Sequence, residues 1–172
     1  MTSQALRPYK QQLLRELGRE ALYDDQIDAV GRREFKRRWG GTFPSDGLPP
    51  VRPNRFYVVN SGFRGGPGAH WTGLYISPGG RAYIFDSFAR MATKIVPATV
   101  RRLEREHFVI EDANSVPDQR GASEICGVLS LSWLMAVRDH GIRARAFNSG
   151  GEGDSPRRAL TRPLLGDDGQ GP

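Results

Sequence analysis

The most restrictive stretch of this sequence is 126–137, CGVLSLSWLMAV, twelve residues without a charge in which only two serines break the apolar run. It is too short to cross a bilayer, which takes about 20 apolar residues. Apolar side chains fall on most of its sides, so it reads as a helix at the centre of a domain and not as an amphipathic surface helix. Gly141 is placed to end it. Such a helix needs cover all round, and a chain of 172 residues that is 38% hydrophobic has enough apolar material for one domain with its own core. The N-terminus is polar and charged where a secretory signal needs an apolar stretch. A secreted or transmembrane protein is therefore not expected.

The cover is predicted from the rest of the pattern. Leu13, Leu14 and Leu17 share one face of a short first helix, and Asp24 is placed to cap a second that carries Ile27 and Val30 and later Phe35 and Trp39. Gly40-Gly41 and the Pro/Gly-rich stretch 43–53 then break regular structure. Three strands are predicted next, at 55–60, 70–76 and 81–88, with a glycine-rich loop at 62–68 and a Ser77-Pro78-Gly79-Gly80 turn that makes the last two an antiparallel hairpin. Pro97 opens a helix with Val100, Leu103, His107 and Phe108 on one face, and Val109-Ile110 starts a fourth strand. The expected fold is α+β: one domain over 1–148 with a small, mostly antiparallel sheet flanked by helices and a buried central helix, followed by a flexible, Gly/Pro/Asp/Arg-rich tail at 149–172.

The buried helix begins at the chain's single cysteine, Cys126. One cysteine excludes an internal disulfide and a cysteine-based zinc site, and the three histidines lie too far apart in sequence to suggest a metal centre. A first helical turn offers unpaired N–H groups and a positive dipole end, which favour a thiolate. Gly127 beside it would let a substrate backbone approach. A nucleophilic thiolate needs a base, normally histidine, held by a third group. His107 reads as a core or boundary histidine, and His140 as a last-turn residue answering the helix dipole. His70 differs, because it leaves the glycine-rich loop and enters a strand beside Trp71. The return strand carries Asp86, so closing the hairpin would bring carboxylate to imidazole; a strand-end turn residue is the other reading of Asp86. Gln119, seven residues before Cys126, could join the Cys126 N–H as an oxyanion donor, or be an ordinary loop glutamine.

Lys and Arg exceed Asp and Glu by 25 − 19 = +6. The basic residues cluster at Arg32, Arg33, Lys36, Arg37 and Arg38, at Arg101, Arg102 and Arg105, at Arg143 and Arg145, and at Arg157, Arg158 and Arg162. That charge permits contact with nucleic acid as well as a merely solvated surface.

Taken together, His70-Trp71, Asp86, Gln119 and Cys126-Gly127 resemble, in order and spacing, the adenovirus-type cysteine proteases, whose wider clan includes the SUMO-deconjugating proteases. The likeness covers about 13–139 and extends to Gly41-Thr42-Phe43-Pro44-Ser45-Asp46-Gly47-Leu48-Pro49, Val58-Val59-Asn60, Pro67-Gly68-Ala69 and Phe85-Asp86-Ser87-Phe88. The resemblance implies that family's fold, with Cys126 as nucleophile, His70 as general base and acid, Asp86 as its partner, Gln119 in the oxyanion hole and Trp71 shielding the pair from water. It further implies peptide-bond hydrolysis at small, Gly-Gly-like sites during maturation of viral precursor and capsid proteins, in the virion and infected cell, including the nucleus. Substrate partners would be viral structural precursors. No cofactor is required by the sequence; stimulation by DNA or by a non-covalently bound peptide is what the family adds. Its adenovirus members attach a peptide through a second cysteine, which this chain lacks. The protein is expected to be a monomer without membrane contact. A deconjugating protease for a ubiquitin-like protein, an acetyltransferase, and a basic DNA-binding virion protein with an idle site are the competing readings. Asn148-Ser149-Gly150-Gly151-Glu152 resembles a cleavage site, which implies self-trimming after Gly151.

Overall fold

A computed structural model describes residues 4–63, 69–121 and 123–142. The expected tail, its Gly151 cleavage site, the domain end at 148, the basic residues from Arg143 onward and residues 64–68 of the glycine-rich loop lie outside the described residues. The elements are α1 (Arg7–Leu17), α2 (Asp24–Phe35), β1 (Trp39–Pro44), β2 (Arg55–Asn60), β3 (Trp71–Ile76), β4 (Arg81–Phe85), α3 (Ala92–Ile95), α4 (Pro97–Arg105), β5 (Val109–Asp112) and α5 (Cys126–His140). They form one α+β domain around a five-stranded sheet in sequential order, β1 to β5.

The sheet is mixed, which corrects the mostly antiparallel expectation. β2–β3 and β3–β4 are antiparallel, but β1–β2 and β4–β5 are parallel. The cause lies in the connections. The 77–80 turn reverses the chain between β3 and β4, whereas the 45–54 segment and the α3–α4 crossover carry it back so that the next strand starts at the same end.

β1 is the strand the sequence pattern hides. Gly40-Gly41 reads as a break, yet both glycines serve the strand. A Cβ on Gly40 would fall 2.1 Å from the Tyr57 ring, and Gly41 has φ +121° where the register slips between Trp39 and Gly41. Glycine here marks a bulge and a close approach, not a turn. α2 likewise ends sooner than its apolar spacing suggests. Lys36 takes φ +52°, one 3-10 turn follows, and Phe35 and Trp39 stack across it with centroids 5.6 Å apart. Asp24 is the first helical residue and not the cap. Tyr23 flanks the helix, its N–H donating to Gln26 Oε1 at 2.9 Å, while Asp24 and Asp25 each accept from the next N–H.

Side chains of the inner strands alternate between two cores, as a period of two requires. Phe56, Val58, Tyr75, Tyr83 and Phe85 meet α1, α2 and α5, while Tyr57, Val59, Leu74, Ile76, Ala82 and Ile84 meet α3 and α4. Burial on both faces explains why these strands read as apolar runs. α5 is buried from Cys126 through Val137, as expected. Trp133 stacks on Phe85 at 5.4 Å and lies against Gly73, and both serines are satisfied, Ser130 by the Trp71 carbonyl and Ser132 by the Val128 carbonyl. Gly141 caps α5 at φ +71°. Pro97 opens α4, but His107 sits beyond that helix, exposed, at φ +65°, and not on its apolar face.

The α2–β1 corner generates a test. The Trp39 indole covers Gly31, where a Cβ would come within 2.1 Å of the ring. Gly31→Ala should cost about 1–3 kcal/mol through overpacking. Gly79→Ala, with nothing nearer than 3.9 Å, should stay within about 0.5 kcal/mol. Urea unfolding of the two variants measures the difference.

Candidate active site

The β3–β4 hairpin pairs Gly73 with Phe85, so the residues just outside it, His70 before β3 and Asp86 after β4, come together at one end of the sheet. His70 Nε2 lies 2.5 Å from Asp86 Oδ1. That leaves Nδ1 as the ring atom for a second partner, and the His70 ring is hydrogen-bonded to Cys126 as well. α5 delivers the cysteine as its first residue. The sulfur also accepts from the Trp71 backbone N–H at 3.5 Å and from the Gly127 N–H. The three polar groups singled out in the sequence thus form a continuous Cys126–His70–Asp86 chain. Each is largely buried, at 9%, 8% and 2% exposed.

The electrostatics follow from these contacts. Burial pushes the Cys126 thiol up, but the hydrogen bond from His70, the N–H donors and the imidazolium charge outweigh it and hold the thiol below its ordinary value. Burial opposes charge on His70 too, yet the hydrogen bonds to Asp86 and Cys126 prevail and raise its pKa. Burial likewise works against the Asp86 carboxylate, and bonds from His70 and Arg90 overcome it, holding Asp86 far below the usual carboxylate range. Every shift favours thiolate, imidazolium and carboxylate together. This is the state in which cysteine attacks carbonyl carbon.

Trp71 links site to scaffold. Its indole N–H donates to the Leu22 carbonyl at 2.8 Å, and its own carbonyl accepts from Ser130 Oγ at 3.1 Å. Gly127 does a different job from the one expected. Where a Cβ would project, Leu22 stands at 3.2 Å and Trp71 at 3.3 Å, so the missing side chain lets the 22–23 loop and β3 close on α5 and does not open room for substrate. Gln119 is 3% exposed and stapled to the residue after Asp86. Its Oε1 accepts from Ser87 Oγ at 2.6 Å, its backbone N–H donates to the Ser87 carbonyl at 2.9 Å, and its side-chain amide donates to the Ser123 carbonyl. One N–H of that amide stays uncommitted by these bonds. His107 and His140 take no part; His140 Nε2 lies 3.2 Å from the Tyr9 hydroxyl at the far end of α5.

Several contributors were not legible beforehand. Arg90 holds Asp86 Oδ2 with its backbone N–H at 2.9 Å and its Nε at 2.8 Å, and reaches Oδ1 at 3.2 Å. The same guanidinium lies 4.9 Å over the Phe88 ring, which packs 5.5 Å from the His70 ring. Asn114 fixes the Asp86 carbonyl at 2.8 Å. Nothing marks Arg90 among the chain's many arginines except its place four residues after Asp86.

Among the described residues, no three His, Cys, Asp or Glu side chains gather as a metal site, and no helix is long and apolar enough to cross a membrane. No protein-family model matches the chain, and no characterised protein matches its sequence.

Two outcomes are expected. Alkylation of Cys126 by iodoacetamide should stay fast well below the ordinary thiol range of about 8.5, because the lowered pKa keeps the thiolate as pH falls. His70→Ala should return the profile toward that range, and rate against pH reads the shift. Arg90→Ala should slow the same reaction with the fold intact, and Arg90→Lys should restore it only in part, since an ammonium lacks the fork that holds both carboxylate oxygens.

Proposed function

We propose that this chain is a cysteine endopeptidase of the adenovirus-protease type, in fold as in chemistry. One observation carries the reading: a thiol at the first residue of a buried helix shares an imidazole with a buried carboxylate, and all three are shifted toward their charged forms. An idle site needs no such arrangement. Functional sites are where burial and charge partners combine to move pKa values.

In this mechanism the Cys126 thiolate attacks the scissile carbonyl carbon and the carbonyl electron pair moves onto oxygen. The Cys126 backbone N–H and the uncommitted amide hydrogen of Gln119 receive that oxyanion. As the tetrahedral adduct collapses, the C–N bond breaks and His70 gives its proton to the leaving amine. Water then enters, loses a proton to His70 and attacks the thioester. The acid product leaves and the thiolate is restored. Asp86, gripped on its far oxygen by Arg90, keeps the ring oriented and stabilises its charge.

The substrate reading follows from access. Cys126 is only 9% exposed, which suits a thin segment with glycine at the cleaved bond; Gly-Gly-like sites in a viral precursor are what the family resemblance adds. DNA or a peptide as activator, and action in the virion or the infected nucleus, belong to the same proposal.

Cys126→Ala should abolish cleavage of a Gly-Gly peptide and leave the fold nearly unchanged. Gln119→Ala should cost about 10²–10³ in turnover; equal turnover would remove its oxyanion role. His107 and His140 variants should keep full activity. Product analysis with and without acetyl-coenzyme A separates hydrolysis from acetyl transfer. A ubiquitin-like protein extended past its Gly-Gly end, set against a capsid-type precursor peptide, separates deconjugation from maturation.

A further inference from the structure

The opposite face of the sheet carries a feature that hydrolysis leaves unused. α4 bears Arg101, Arg102 and Arg105, which with Ser45, Asp46 and Leu48 of the β1–β2 connection wall a cavity of about 270 Å³. Arg101 and Arg105 stand one helical turn apart, a spacing at which like charges repel. The ion pair in this stripe belongs to Arg102, which meets Glu106 at 3.1 Å; among the described residues Arg101 and Arg105 make none. Arg101 and Arg105 therefore stand one turn apart on a cavity wall that also carries Asp46, and neither forms an ion pair among the described residues.

We propose that this cavity binds hydrogen phosphate. Guanidinium groups match a tetrahedral oxyanion through paired N–H donors. Asp46 narrows the choice further. A carboxylate accepts at about four sites, so Asp46 can take one more donor beside its existing contact. A ligand that still carries a proton can supply it. Sulfate, a carboxylate or a phosphodiester presents only acceptors there and sets lone pair against lone pair. The volume suits one such anion with several waters, each of which occupies about 30 Å³ in the liquid.

The cavity wall also connects to the catalytic histidine. Thr99 of α4 donates to the Ser45 carbonyl at 2.9 Å, and the Ser45 N–H and hydroxyl both donate to the Gly62 carbonyl at 2.9 Å. Asn60 Oδ1 then accepts from the Gly62 N–H at 2.7 Å and the Ala69 N–H at 3.2 Å, and the Ser61 N–H holds the His70 carbonyl at 2.8 Å. An anion drawing α4 toward Ser45 loads this chain and shifts the backbone that carries the His70 ring. Binding stands independently of the protease reading; only the meaning of the His70 effect rests on it.

Calorimetry on the full chain at pH 7 and fixed ionic strength tests binding, with inorganic phosphate, sulfate and dimethyl phosphate as probes. Phosphate should bind saturably at one site, and the other two about tenfold or more weaker. Arg101→Gln/Arg105→Gln should weaken phosphate by about tenfold or more, and Asp46→Asn should bring sulfate up to phosphate. Absence of saturable phosphate binding, equal phosphate and sulfate affinity with Asp46 intact, or full phosphate affinity in the double variant would each overturn the assignment. Saturating phosphate should also change the iodoacetamide rate at Cys126 by about twofold or more, an effect lost in the double variant. An unchanged rate refutes the coupling, and because alkylation needs no cleavage, that failure is distinct from failure of the protease reading.

Discussion

The fit of α5 against β3 fixes everything else in this molecule. Twelve residues of that helix are buried, so it cannot shift along the sheet without exposing apolar surface at about 25 cal/mol per Å². Its distance from the strand is set by glycine. A Cβ on Gly73 would come within 3.0 Å of the Trp133 ring, and one on Gly127 would meet Leu22 and Trp71. Trp133 is locked in turn against Phe85, the residue before Asp86. One packing contact therefore positions the helix that bears the thiol and the strand that bears the carboxylate, and the histidine at the start of β3 falls between them.

Held there, four groups stand in line whose surroundings favour charges of alternating sign: the Cys126 thiol, the His70 imidazole, the Asp86 carboxylate and the Arg90 guanidinium. A buried ion pair alone is a poor source of stability, since desolvation consumes most of the Coulomb gain. A chain of alternating charge fares better, because each interior member is satisfied on both sides. It is also asymmetric. Arg90 is half-exposed and permanently charged, whereas the thiolate end is nearly dry. Solvent screens one end and low dielectric strengthens the other, so the field is concentrated at the thiol.

The legible parts of the sequence were those with a single physical meaning. The 126–137 run could only be a buried helix. The Ser77-Pro78-Gly79-Gly80 turn marks a hairpin whose closure brings His70 toward Asp86, although Asp86 by itself reads equally as a strand-end turn residue. Glycine was ambiguous. Gly40-Gly41 reads as a break because absence of a side chain signals both turns and close packing, and only the Tyr57 ring across the strand pair decides. Gly127 misled in the same way, since space beside a thiol looks like room for substrate until Leu22 fills it. The parallel pairings of β1 and β5 depend on where long connections return, which no local pattern records. Arg90 and Phe88 matter through the turn geometry after β4, and Ser87 through contact with a loop 32 residues away.

The active end of the sheet is where its two cores stop being separate. The ring of His70 belongs to the α5 side through Cys126 and Phe88. Its backbone belongs to the other side, since the Ser61 N–H holds its carbonyl and Asn60 Oδ1 accepts from the N–H groups of Ala69 and of Gly62, which Ser45 anchors beneath α4. A base in cysteine chemistry must approach the sulfur as it takes a proton and turn toward the leaving amine as it gives one back. A residue anchored only in the α5 core would be fixed relative to the sulfur. Suspended between two cores, the imidazole has one fixed partner, Asp86, and a backbone whose position is set by packing on the opposite face. The consequence is a site whose reactivity is sensitive to the seating of α4, although no atom of that helix reaches the sulfur.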